Sequence, residues 1–565
     1  MSADSGGYSP IEDYAALGNG HSVALVSRRG SVDWWCPQRF DGPSVFAALL
    51  DAERGGRFEI RPRGVRAVER RYLPGTNVLE TRFRTDTGAL RLLDLVPVTA
   101  DESAVDIEMH HGLLRDLECT SGQVEVEVLY EPRWEYGRVD ARLVDRGSQG
   151  LYAGHRADAL LLRSDVPLEI APGMGSASGS AMLREGERAR LVLSFARREP
   201  LVVPDLAAGT DRVRERTCDW WRSWSDGTSY DGPYRDAVLR SGLVLRMLTF
   251  SPSGAIVAAP TTSLPEELGG DRNWDYRYCW LRDATMTVRV LIELGDEELG
   301  EAFLNWMLHA TRLTQPELGV LYDVFGRSDV AERTLGYLAG YRNSSPVRVG
   351  NAASRQIQLD VYGEVVGAAR EFVEHGGRLG SMKARILVGL GESVCRHWKE
   401  PDHGIWEVRS GRRHHTLSKV QCWRALDDLL ALHERGHLRV PVARFEAERD
   451  AIRAAVEASG WSDEAGSYVS WFGGHAVDAS LLLLGLHGYA KADSPRMLAT
   501  WERIETELET RGWLRRYGAD YEDGVTGAEG AFGICTFWAA EYLAAAGRVD
   551  EARAWFDNAL GRAND

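Results

Sequence analysis

Two hydrophobic periodicities divide the chain. Up to about residue 208, apolar positions alternate with polar ones: Val124, Val126 and Val128 with Glu125 and Glu127, and Leu191, Leu193 and Phe195 in the same way. A period of two belongs to half-buried strands. Turns at Gly55–Gly56, Asp86–Thr87–Gly88 and Gly147–Ser148 separate these short runs, a spacing that suits a β-sandwich rather than βαβ units. ARREPLVVPDLA (196–207), with two prolines, ends this pattern. Asp211 to Ser225 then carries Trp220, Trp221 and Trp224 at helical spacing, which reads as a linker helix whose tryptophans form core between domains. Beyond residue 228 the spacing is helical almost throughout. Helices are expected near 234–250, 282–295, 297–313, 355–374, 381–398, 416–435, 441–459, 477–487, 495–510, 529–546 and 549–561. The expected organisation is therefore multidomain: a β domain over 1–208, a linker helix over 209–227 and an all-α domain over 228–565.

One stretch breaks the helical pattern. GAIVAAPTTSLPEELGGDRNWDYRYCWLRDA (254–284) is a long polar and aromatic loop between two apolar helical segments. Loops of that length inside compact domains are uncommon and often functional. It carries Trp274, Tyr276, Tyr278 and Trp280 and ends in Arg282–Asp283. Aromatic faces suit a sugar ring, and a guanidinium beside a carboxylate can grip hydroxyls. The same aromatics could equally cap a core.

Composition narrows the classes. With 44% hydrophobic and 27% charged residues the chain is ordinarily globular, and its net charge of −16 argues against nucleic acid or an anionic membrane surface as partner. LLLLGL (481–486) is too short to span a bilayer. MSADSGGYSPIEDYA has neither the basic nor the apolar region of an export signal. Seven dispersed cysteines without a CxxC pair fit reduced thiols, so a cytoplasmic location is expected. His110–His111 and His414–His415 are adjacent pairs, and the chain contains no HExxH motif, Cys/His cluster or Gly-rich phosphate loop. No metal and no cofactor are expected.

Hydrolysis of a glycosidic bond needs two carboxyl groups in different environments, one protonated to serve the leaving oxygen and one ionised. Among 83 acidic residues, context singles out two. Glu407 follows Trp406 in DHGIWEVRSGRRHHTLSKVQCW (402–423), and Trp406 offers an apolar wall that would raise a carboxyl pKa. Glu529 stands among small residues in GAEGAFGICTFW (527–538), where a first-turn helix partner is the competing reading. In VRVGNAASRQIQLDVYGEVV (347–366), Arg348 is a candidate substrate ligand, and Asp360 either bonds substrate hydroxyls, orients Trp406 or forms a structural salt bridge. Tyr322 and Asp323 in LYDVFGRSDVAERTL (321–335) are rim candidates, and Asp478 in VDASLLLL (477–484) reads as a helix N-terminal partner.

These segments, together with PIEDYAALGNGHSVALVSRRGSVDWWCPQRFDGPSVF near the N-terminus, resemble the bacterial branch of glycoside hydrolase family 15, the glucoamylase, glucodextranase and trehalase family. The resemblance runs from residue 10 to about 550. It implies an N-terminal β-sandwich packed on an (α/α)6 barrel, with Asp33, Trp34, Trp35 and Asp41 either at the site's rim or in the packing between domains. It further implies Glu407 as general acid, Glu529 as general base, and Arg282 and Asp283 holding glucose in subsite −1, with Trp280, Trp406, Tyr322, Arg348 and Asp360 as further substrate contacts. The activity it implies is inverting release of glucose from a small-molecule carbohydrate, trehalose first, malto- or isomalto-oligosaccharides second; a homo-oligomer is compatible with it. His415, Leu417 and Gln421 depart from the family's usual wording around the acid. They leave open a non-hydrolytic sugar-binding protein or a hydrolase acting on a glycosylated metabolite.

Overall fold

The computed structural model describes residues 7–98, 111–203, 205–312, 314, 317–519, 521–525 and 530–564. The N-terminal part is an antiparallel sheet system organised on one 20-residue strand, Gly112–Glu131. The first half of that strand pairs with Gly88–Leu95 and Arg188–Arg197. Its second half pairs with Arg57–Pro62 and Ala177–Arg184. The exposed stretch 120–123 separates the halves. Over the second half the alternation read from sequence holds, with Val124, Val126 and Val128 buried. In Arg188–Arg197 it does not: Val192 and Ser194 are as buried as Leu191 and Leu193. A helix covers the face expected to be wet, so that Val192 packs with Cys218 and with the partly buried Val213.

That helix is α1 (Ala208–Asp226). It is followed by α2 (Arg235–Met247), α3 (Leu281–Glu293), α4 (Glu297–Thr311), α5 (Asp360–Glu374) and α6 (Ser381–His397). Then come α7 (Thr416–Glu434), α8 (Val442–Ser459), the one-turn α9 (Leu483–Leu486), α10 (Pro495–Leu508), α11 (Gly533–Ala545) and α12 (Val549–Leu560). Most lie within a few residues of the positions that periodicity predicts.

Three starts differ. α5 begins at Asp360 and not near 355, because the residues before it face a neighbouring loop: Leu359 N donates to Asp402 and Ile357 N to His403. α11 begins at Gly533, after Phe532 adopts an extended conformation and donates its N–H to Leu514 O. The segment predicted at 477–487 is a 3-10 turn, Ala479–Leu482, running into α9, with Asp478 accepting from Ser480 N at the turn's start.

α5 and α7 meet backbone to backbone. A Cβ on Gly363 would lie 2.5 Å from Gln421 O. The sheet part and the helices share a continuous core that includes Trp34, Trp221 and Tyr136. Trp34 Nε1 donates to Pro260 O at 2.9 Å, and Trp224 Nε1 donates to Asp296 at 2.7 Å. Arg277, wholly buried, pairs with Asp275 at 2.8 Å and reaches Gly42 O and Tyr136 OH, both at 2.9 Å. Part of the aromatic loop thus bolts the helices to the N-terminal part. None of Asp33, Trp34, Trp35 and Asp41 lines the cleft described below. Trp34 belongs to the shared core and Trp35 to the sheet part's own core, while Asp33 accepts from Tyr14 and Ser31 within the sheet part and Asp41 pairs with Arg39. All seven cysteines are buried, and none forms a disulfide among the described residues. No helix among the described residues is long and apolar enough to cross a membrane.

Candidate active site

A cleft lined by aromatic and charged side chains opens on the helical part. The aromatic loop, the first turn of α3, the loop between α6 and α7, and the residues flanking 526–529 form its walls. Trp280, Arg282, Asp283, Trp406 and Glu407 all line it. The sequence scatters these five over more than a hundred positions, and the fold brings them together.

The α6–α7 loop is tied down from several sides. Asp402, fully buried, accepts from Leu359 N at 3.0 Å, Gly404 N at 3.3 Å and Ser418 Oγ at 2.7 Å. Gly404 has φ +66°, and a Cβ there would stand 2.7 Å from the His415 ring, so glycine is required on both counts. Glu407 itself has φ 57°, a conformation that costs a non-glycine residue on the order of 1 kcal/mol. It is held there by Gln356, whose amide donates to Glu407 O at 3.0 Å and Val408 O at 3.3 Å. Arg282 adds a bond from Nη1 to Ile405 O at 2.7 Å.

Trp280 Nε1 donates to Glu407 Oε1 at 2.6 Å, and Arg282 Nη2 lies 3.6 Å from the same oxygen. Arg282 Nη2 also donates to Asp283 Oδ2 at 2.9 Å. Burial pushes the Glu407 carboxyl above its ordinary pKa; Arg282 opposes this, Asp283 adds to it, and the Trp280 N–H pulls it back. The side chain still keeps 23% of its surface, so it is desolvated while remaining open to the cleft. Trp406 meets Tyr517, Phe532 and Trp538 with ring centroids 6.1–6.5 Å apart, forming the apolar wall expected beside the acid.

Tyr322, Arg348 and Asp360, expected as substrate contacts, do not line the cleft, and neither does the rim candidate Asp323, which is buried. Tyr322 is fully buried, and its hydroxyl is shared with Thr314 Oγ1 at 2.8 Å and Gly319 N at 2.9 Å. Arg348 donates to Asp271 O at 2.7 Å and Asn273 O at 3.1 Å, pairs with Glu332 at 3.4 Å and packs over Trp274, so it braces the aromatic loop. Asp360 lies behind Arg282, 1% exposed, with neither carboxyl oxygen hydrogen-bonded among the described residues. Burial first, and the nearby Asp402 second, raise its pKa to about 8 against the pull of Arg282. Glu529 lies outside the described residues; Val525 and Phe532, on either side of its segment, both line the cleft.

His415, Leu417 and Gln421 are buried and none faces the cleft. Gln421 instead donates to Glu364, joining α7 to α5. Sequence reasoning passed over Arg272, Arg409, Arg516, Tyr517 and Asp523, which do line the cleft. Arg272 lies inside the aromatic loop, and Arg409 two residues after Glu407; those positions were the available signal. Tyr517 and Asp523 carry none that local pattern would reveal. Among the described residues no group of three or more His, Cys, Asp or Glu side chains could hold a metal ion.

Comparisons with known proteins identify what this chain is similar to. The family model described as glycosyl hydrolases family 15 matches residues 232–563, and one described as trehalase-like, N-terminal, matches residues 5–221. A trehalase of Mycolicibacterium smegmatis is 37% identical over 97% of this chain and 84% of its own length. A trehalase of Thermoplasma volcanium is 32% identical over 99% of this chain and 88% of its own. A solved glycosidase structure overlaps 56% of this chain and 80% of its own at 21% identity, with a TM-score of 0.44.

Proposed function

The chain belongs to glycosyl hydrolase family 15, and on that footing we propose that it hydrolyses trehalose to two molecules of glucose. The observation that carries a hydrolytic reading is the Glu407 carboxyl, set on a cleft floor with a raised pKa and gripped by an indole N–H. The near full-length similarity to trehalases supports the choice of substrate.

In this reading Glu407 delivers its proton to the bridging oxygen as the C–O bond breaks. Glu529 takes a proton from the water that attacks the anomeric carbon from the opposite face, and configuration inverts. The two carboxyl groups are then to be roughly 6.5–9.5 Å apart. Arg282 and Asp283 hold hydroxyls of the glucose being transferred; the N-terminal turn of α3 favours the Asp283 charge there. Trp406 supplies an apolar wall, and burial beside it raises the pKa of Glu407. Arg348 and Asp360 support this arrangement from behind and do not touch the sugar. For the fold we propose a β-sandwich over 1–208, the linker helix and an (α/α)6 barrel over 228–565. Seven buried cysteines without a disulfide among the described residues support residence in a reducing, cytoplasmic compartment.

The test is glucose release from trehalose, with maltose and isomaltose alongside, followed by proton NMR at early times. Inversion gives equal α- and β-glucose from trehalose at the outset, whereas retention gives only α. Absence of release from trehalose, with release from either of the others, would replace the substrate. Binding without release from any would replace the reaction.

A further inference from the structure

The cleft contains a second polar cluster, apart from the one around Glu407. Arg272 pairs with Asp523 at 2.8 Å, and Tyr517 donates its hydroxyl to the same Asp523 oxygen at 2.7 Å. Arg272 and Asp523 are 7% and 6% exposed, and all three residues line the cleft. Burial works against the Asp523 charge, but Val525 N–H, the Tyr517 hydroxyl and Arg272 together hold its pKa below the usual carboxylate range. The cluster is joined to the acid: Arg409 N donates to Asp523 O at 2.6 Å. Gly524 packs so closely on Ser410 N that a Cβ would lie 2.4 Å away. Arg272 Nε, also buried, finds no hydrogen-bond partner among the described residues.

A buried ion pair is a poor source of stability, because desolvating two charges offsets most of their attraction. On the wall of a sugar cleft the same pair is well matched to hydroxyls, since charged partners make the stronger hydrogen bonds. A disaccharide presents two rings, and Arg282 with Asp283 can serve only one. The Glu407 loop is linked to both clusters: Arg282 lies beside the Glu407 carboxyl, and Arg409, two residues on, is tied to Asp523.

Building on the assignment of Glu407 as acid and Arg282–Asp283 as the glucose-holding pair, we infer that Arg272, Asp523 and Tyr517 form the seat of the leaving sugar and select its hydroxyls. The cluster therefore governs which aglycone is accepted and contributes nothing to a substrate that lacks one.

α-Glucosyl fluoride is such a substrate, because fluoride departs without a second ring. Asp523→Asn keeps the shape of the pair, and Arg272→Lys keeps its charge. Each is expected to lower kcat/KM for trehalose about 10- to 100-fold, the loss of one charge-assisted hydrogen bond, with KM bearing most of it. Hydrolysis of the fluoride should stay within about twofold of wild type. Equal losses on both substrates would make the pair structural or part of the glucose-holding half, and an unchanged trehalose-to-fluoride ratio would remove it from the site; either overturns the inference. Should thermal melting show that these variants fail to fold, Tyr517→Phe removes a single hydroxyl and is read by the same ratio, with a loss of several-fold on trehalose expected and none overturning it. A wild-type protein inert on both substrates defeats the glycosidase reading itself, an outcome separate from an active wild type whose ratio the variants leave unmoved.

Discussion

Replacing Trp280 with phenylalanine isolates one hydrogen bond at the acid. The indole N–H sits 2.6 Å from Glu407 Oε1 and stabilises the ionised carboxylate more than the neutral acid. Hydrogen bonds to charged groups contribute about 1.5–3 kcal/mol net. Glu407 is partly open to the cleft, so water can replace some of this, leaving about 1–2 kcal/mol. At 1.36 kcal/mol per pKa unit this is a rise of about one unit. The general acid must be protonated, so the alkaline limb of kcat/KM against pH, which reports the free enzyme, should move upward by about that amount. Arg282, 3.6 Å away, still favours the ionised form and keeps the shift from being larger. Trp280 also packs with Tyr278, Val320 and Leu321, so the variant should lose about 1–3 kcal/mol of stability, read as a lower Tm. A folded Trp280→Phe enzyme whose alkaline limb stays put or moves down would refute this account of how Glu407 is tuned.

Glu407→Gln and Glu529→Gln should each reduce trehalose turnover by about 10²–10⁴-fold with near-native melting, and full activity in either would strike that residue from the mechanism. Asp360→Asn probes a carboxyl whose folded pKa of about 8 exceeds its unfolded value near ~3.9. The folded state therefore holds the extra proton; the associated stability is complete below ~pH 4 and is lost as pH rises through about 8. The asparagine variant should gain on wild type across that interval by a few kcal/mol at most, as measured by denaturant titrations at several pH values, and a gap that narrows with rising pH would show the sign to be wrong. Gly404→Ala places a Cβ 2.7 Å from the His415 ring at φ +66°. Displacing the acid loop should cost kcat about tenfold or more while far-UV circular dichroism stays native; unchanged kcat would mean that the loop tolerates the shift.

Local pattern made much of this protein legible. A period of two and a period of 3.6 mark the sheet and the helices, because each reflects which face of an element is buried, and most helix positions follow within a few residues. Glu407, Trp406, Arg282 and Asp283 stand in segments whose wording is specific enough to be read directly, and all four meet on one cleft. Tertiary contact decided the rest. α5 starts late because Asp402 and His403, from a loop more than forty positions away, take the N–H groups that precede it. Arg348, Tyr322 and Asp360 carry plausible site chemistry in sequence, yet packing turns the first two to structural partners and buries the third behind Arg282. Asp523 carries no local mark at all; only the fold sets it against Arg272. Periodicity reports the burial of an element against its surroundings, whereas the pKa of a carboxyl and the partner of a guanidinium depend on which distant groups arrive beside them, and that is fixed only when the chain closes on itself.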